Sequence, residues 1–194
     1  MQLQDKRPPI WVSWWMAFSA VVVTWDAAYC FLRPRSFVGG DLAWIWAPYN
    51  MVPYSMVDYL YGQPGVDSKQ GFTNAQALMN VIEVFLALEY LYLRHTSPRT
   101  SSLTKNPAHR YHAHAPLVGF AGALMTLSKT ALYFLQEYYC DWCMVGHNDR
   151  FTFWVVWVTT NGYVHNIIAT ISHRLSYQLT SSLTAEPGYS CLLS

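Results

Sequence analysis

Thr73-Asn-Ala-Gln-Ala-Leu-Met-Asn-Val-Ile-Glu-Val-Phe-Leu-Ala-Leu-Glu-Tyr-Leu-Tyr-Leu93 is the stretch whose reading decides the fold. At about 1.5 Å per residue, a helix over these positions spans roughly 30 Å, the thickness of bilayer hydrocarbon. Within it Thr73, Gln76, Asn80, Glu83 and Ala87 recur at helical spacing and stack on one face. An apolar helix with one polar stripe belongs in a membrane, its stripe turned toward other helices. Three further apolar blocks of similar length flank it: Ile10–Leu32, Pro116–Tyr138 and Phe151–Leu175. The expectation is an all-α integral membrane four-helix bundle over residues 10–175, with a cytosolic N-terminus at 1–9 and a cytosolic tail at 176–194.

Composition agrees. Of 194 residues 53% are hydrophobic and 16% aromatic, but only 12% are charged, against about a quarter in soluble domains. Twelve basic and eleven acidic side chains give a net charge of +1, which argues against nucleic acid as a partner. The partners expected instead are the lipid bilayer, a lipophilic small-molecule substrate and a second copy of the chain as a homodimer. The first block ends on Tyr29-Cys-Phe-Leu32 rather than on small residues, so it reads as a retained span and not a cleaved signal.

Charge orients the spans. The connection Arg94–Ala115 carries Arg94, Arg99, Lys105 and Arg110 with no acid, whereas the first balances Arg33, Arg35 and Lys69 against Asp41, Asp58 and Asp67. Basic connections stay in the cytosol, which places both termini there and the first connection on the lumenal side.

Ionisable groups at membrane depth cost several kcal/mol and tend to face a functional interior. Asp26 lies on the first span, Asn80 and Glu83 on the second, Lys129 and Tyr133 on the third, and Trp157, Asn161 and His165 at i, i+4 and i+8 on the fourth. These positions predict one chamber in the lumenal half of the bundle, walled by Trp25 and Trp157 and capped by Trp44–Tyr49. Glu83 and Asp26 are the expected catalytic pair; Asn80, Lys129, Tyr133, Trp157, Asn161 and His165 are expected to bind substrate. A purely structural Glu83–Lys129 ion pair is the competing reading. The chemistry such a chamber permits is protonation of an alkene or epoxide, stabilisation of the resulting cation by aromatic faces, and loss of a proton. It needs no cofactor and no metal. Trp11, Trp14, Trp15, Trp44 and Trp46 are expected in interfacial belts.

Other signals are weaker. Cys140-Asp-Trp-Cys143 has redox or zinc spacing, but it is single and lies outside any βαβ pattern, so a local disulfide or free thiols are expected. His109, His112 and His114 read as a solvated turn in the basic connection. Phosphate-binding glycine patterns and a nucleophile elbow are absent from the sequence. Cys191-Leu-Leu-Ser194 matches a prenylation signal.

The run Leu127-Ser-Lys-Thr-Ala-Leu-Tyr-Phe-Leu-Gln-Glu137, then Phe151-Thr-Phe-Trp154 and Asn161, resembles the EXPERA domain of the emopamil-binding protein family of sterol Δ8–Δ7 isomerases. Asp26, Trp46, Tyr49 and Glu83 sit where that family places acidic and aromatic residues, and the resemblance covers about residues 12 to 175. It implies an endoplasmic-reticulum membrane protein that moves double bonds through a carbocation, with roles for Asp26, Glu83, Asn161, Tyr133 and Glu137. The family also holds non-catalytic binding members such as the sigma-2 receptor. Val22 stands where the sterol isomerase has histidine, and Val164 where it has tryptophan, so that Trp157 or His165 would substitute. The fourth-span proline and the extra N-terminal span of the sterol enzyme are missing too. The chain is thus more similar to short members of fungal secondary metabolism that act on prenylated, terpenoid or epoxide-bearing intermediates; a sterol isomerase and a lipid-binding receptor are the alternatives.

Overall fold

The computed structural model describes residues 8–51, 54–96 and 108–183, and the side chains of His109, His112 and His165 lie outside that description, as do the connector 97–107 and Cys191. Helix is the regular secondary structure of the described residues, with no strand among them. Four long helices carry the fold: α1 (Ile10–Phe31), α2 (Phe72–Thr96), α3 (Ala108–Tyr139) and α4 (Thr159–Leu183). Among the described residues three segments are long and apolar enough to cross a membrane: α1, α2 and the His114–Tyr139 part of α3.

The fourth apolar block divides in two. Its most apolar part, Thr152–Val158, winds as a wide π-helical segment, and α4 continues with Asn161, Gly162, His165 and Asn166, which lower its apolarity below that of the other three. It runs to Leu183, beyond the Leu175 boundary expected from sequence. The third block also differs. The helix begins at Ala108, and Pro116 lies inside it rather than at its start. Proline lacks only one N–H, and the preceding residues keep helical geometry, so His109–His114 form helix and not the expected turn.

Large apolar side chains cover the outside of these helices, among them Phe18, Val21, Phe85, Leu88, Leu124 and Leu132. Contiguous apolar surface of this kind suits lipid and not water. Inside, α1 packs on α2, α2 on α3 and α3 on α4. Val12 and Met16 of α1, Tyr90 and Leu93 of α2, Ala115 and Ala123 of α3, and Ile168, Ile171 and Leu175 of α4 share one buried core at the end nearer the termini. Consecutive long helices run antiparallel: Arg94 Nη1 donates to Pro8 O, and Gly119 of α3 lies under the Tyr90 ring and Leu175. A Cβ on Gly119 would sit 2.8 Å from Tyr90 Cδ2, so the glycine is what lets the three helices approach.

At the opposite end, the first connection folds into short helices at Ala43–Trp46, Ala47–Met51, Tyr54–Val57 and Gln63–Asp67. These close over the helix ends. Trp46, expected in an interfacial belt, is buried instead (2% exposed): its Nε1 donates to Trp25 O, while Trp25 Nε1 returns a bond to Ile45 O. An indole with a buried hydrogen-bond partner loses its reason to stay at the water interface. Trp14 and Trp44, at 72% and 76% exposed, do lie on the surface.

Candidate functional site

Asp26 stands one turn before the end of α1, where its carboxylate meets the first connection and α2. Tyr49 Oη donates to Asp26 Oδ1 at 2.7 Å, and Asn80 Nδ2 donates to Oδ2 at 3.2 Å. The Asn80 carbonyl oxygen accepts from Lys129 Nζ of α3, and the same ammonium lies 3.1 Å from Glu83 Oε1. Asn80 and Glu83 are three residues apart on one face of α2, so both address the single lysine that α3 presents. The result is one continuous polar chain, Tyr49–Asp26–Asn80–Lys129–Glu83, across α1, α2 and α3. Glu83 is buried and Lys129 nearly so, with side-chain exposures of 8% and 12%. The ammonium contacts Glu83 Oε1 as an ion pair without hydrogen-bond alignment, and that buried oxygen has no hydrogen-bond partner.

Aromatic rings surround the Asp26 end. Trp25 meets Tyr49 edge-on at 4.7 Å, Tyr29 meets Tyr49 edge-on at 5.2 Å, and Tyr54 stacks on Tyr49 at 5.6 Å. Tyr61 closes the group against Tyr29 and Tyr54. Burial, reinforced by the Asp26 carboxylate, holds the Tyr49 phenol well above its ordinary range, so it remains a donor to Asp26.

The remaining expected residues gather at a second carboxylate. Tyr133 Oη and Trp157 Nε1 both donate to Asp58 Oδ2, the indole at 3.0 Å, while Leu60 N–H donates to Oδ1 at 2.9 Å. Asp58, Trp157 and Leu60 are wholly buried. Burial pushes the Asp58 carboxyl above the usual carboxylate range, against the pull of Tyr133, Trp157 and the Leu60 N–H. In the sequence Asp58 counts only as one of the acids that balance the basic residues of the first connection. The available signal was its setting, a lone acid in the aromatic run Tyr54-Ser-Met-Val-Asp-Tyr-Leu-Tyr61. Asn161 donates to Trp157 O at 2.8 Å and stands within reach of the Tyr54 phenol, so it borders the Asp58 node rather than the lysine.

The structure therefore brings Asp26, Asn80, Glu83 and Lys129 together, and Tyr133, Trp157 and Asn161 separately, with Tyr49, Tyr54 and Tyr61 as the wall between. The cavity at Glu83 opens the other way, toward the terminal end: about 80 Å³, lined by Trp15, Met16 and Ala20 of α1, Gly119, Gly122 and Thr126 of α3, and Ile168 of α4. Asp26, Asn80, Lys129, Tyr133 and Asn161 are not in its lining. A cavity of this size has room for a few water molecules.

Cys140 and Cys143 are joined by a disulfide in the turn after α3, so neither thiolate is available to a metal in this state. Comparison with known proteins finds no family model that matches this chain and no significant match to a curated protein or a solved structure.

Proposed function

We propose that the protein is a membrane isomerase or cyclase with an EXPERA-type four-helix architecture, acting by Brønsted acid–base chemistry on a lipophilic biosynthetic intermediate that carries an alkene or epoxide. The observation that carries this reading is the polar chain from Asp26 to Glu83, two carboxylates on either side of one lysine amid apolar and aromatic walls. Structural packing needs fewer charges than this at membrane depth.

In the proposed reaction Glu83, the carboxyl on the cavity wall, first takes up a proton and then delivers it to the alkene or epoxide, returning to the ion pair with Lys129. The cation so formed meets the Trp15 ring in the cavity wall, and once the helices part it comes within reach of the Asp26 carboxylate and the rings around it. Loss of a proton from the adjacent carbon to a carboxylate forms the new double bond, so the product has the mass of the substrate. The Lys129 ammonium keeps the negative charge that Glu83 acquires from being stranded in low dielectric. The small cavity calls for substrate entry by parting α1 from α3, both of which line it. An endoplasmic-reticulum membrane with cytosolic termini is supported by the disulfide at the loop end, which suits an oxidising lumen, and by the basic connection at the other.

The test is incubation of the full-length protein in nanodiscs with a panel of prenylated, terpenoid and epoxide-bearing compounds, read by mass spectrometry. Mass-neutral products, with one solvent deuterium gained in D2O for alkene shifts, support the proposal. Saturable binding without conversion would leave the lipid-binding receptor, and restored growth of yeast lacking sterol isomerase would redirect the substrate to sterols.

A further inference from the structure

The turn that follows α3 carries a second constellation, unrelated to the polar chain. Glu137 is wholly buried at the end of α3. Its Oε2 accepts the Met144 N–H at 3.2 Å, while Oε1 is buried with no hydrogen-bond partner; the Val145 N–H, though close to the carboxylate, does not meet hydrogen-bond geometry. An orphaned carboxylate oxygen in a wholly buried position is costly unless something meets it. A Glu137 oxygen and the sulfurs of Cys140 and Cys143 all lie within 4.8 Å of one another.

The backbone is also arranged for sulfur. The Cys143 N–H points at Cys140 Sγ at 3.2 Å, and Trp142 N–H returns to Glu137 O at 2.7 Å. Asp141 and Trp142 take φ of 59° and 58°, the left-handed conformation that tightens the turn and aims the following N–H inward. An N–H directed at sulfur favours the thiolate, which is the form that ligates a metal. Cys143 is exposed and Cys140 partly so, so a reductant can reach the bond.

We propose that this turn is a redox-gated metal site: oxidised, it is the disulfide; reduced, Cys140 and Cys143 thiolates with Glu137 Oε1 hold a zinc-like divalent ion. Opening requires a dithiol reductant, whose two thiols become a disulfide as Cys140 and Cys143 each gain a proton and the S–S bond breaks. Metal binding then releases those protons. With Zn–S bonds of about 2.3 Å, tetrahedral geometry sets the sulfurs about 3.8 Å apart, and the Cα atoms of the two cysteines stand 5.4 Å apart. Three protein ligands leave the fourth position to water.

The experiment uses the full chain in nanodiscs with Co2+ as the probe. The disulfide is first opened with a water-soluble trialkylphosphine, which takes up the oxygen of a water molecule as the two thiols form. The expected result is one equivalent of Co2+ bound with thiolate-to-cobalt charge-transfer absorption, displaced by Zn2+, and no such band before reduction. Cys143→Ser, at an exposed position, abolishes the band; Glu137→Gln, which keeps an oxygen for the Met144 N–H, weakens Co2+ binding about tenfold or more. Absence of the band in reduced wild-type protein overturns the proposal. So does unchanged affinity in Glu137→Gln, which would show a two-thiolate site without the buried carboxylate.

Discussion

Asn80 uses both ends of one amide to join opposite charges: its Nδ2 donates to Asp26 Oδ2 at 3.2 Å while its carbonyl oxygen accepts from Lys129. The amide is therefore oriented by its neighbours and couples the two carboxylates through the lysine. Removing any member strands another in low dielectric, which is where the interaction energies are large.

The first prediction follows from that coupling. Lys129→Met leaves Glu83 without its counter-ion and should destabilise the protein by about 3–5 kcal/mol. The pair Glu83→Gln with Lys129→Met should recover most of that loss. Thermal unfolding of the purified protein in detergent measures both; a double variant no more stable than the single one contradicts a coupled pair.

Catalysis makes a different demand. Glu83→Gln keeps shape and removes the proton, so turnover of whichever compound the panel identifies should fall by 10²-fold or more, with substrate binding kept. Asp26→Asn should lose turnover similarly while Tyr49 still finds an acceptor. Retention of more than about a tenth of the rate in either variant would refute its acid–base role.

The helices were legible because an apolar run the length of a bilayer has few other readings. So was the convergence of Asp26, Asn80, Glu83 and Lys129, since polar groups on facing stripes of an apolar helix have little else to meet. The Asp58 node was not. Its donors Tyr133 and Trp157 lie 75 and 99 residues away, and the aromatic run around Asp58 marks an unusual acid without naming partners that only tertiary packing brings to it. Trp157 lies in the π-helical segment Thr152–Val158, whose wider winding is not marked in the sequence, and its indole donates to Asp58. Trp46 escaped for a related reason: composition does not separate a belt tryptophan from one whose N–H is satisfied inside.

Gly119 offers a packing test. A Cβ there meets Tyr90 Cδ2 at 2.8 Å and Leu175 Cδ1 at 3.2 Å, and Tyr90 is wholly buried among helices. Gly119→Val should cost about 1–3 kcal/mol by overpacking, seen as a lower midpoint of thermal unfolding. Gly122, whose added Cβ would make only ordinary contact with Leu86, should accept alanine with little change. Equal effects at the two sites would mean that α2, α3 and α4 are not held at the separation described.

Asp58 carries the pH prediction. Burial raises its carboxyl above the ordinary value, so the folded protein holds this proton over a range in which the unfolded chain, titrating near 3.9, has lost it. Between those two values the folded state binds more protons, and stability therefore falls as pH rises. Asp58→Asn carries no proton to lose and should remove that part of the slope. The variant should also be less stable at every pH, because its single amide oxygen cannot serve Tyr133, Trp157 and the Leu60 N–H together. Unfolding midpoints followed from about pH 4 to about pH 7 separate the two effects, the offset reporting the lost acceptor and the slope the buried proton. Parallel curves for wild type and Asp58→Asn would mean that Asp58 enters the fold already ionised, held by its three donors, and that the burial cost is met entirely by them.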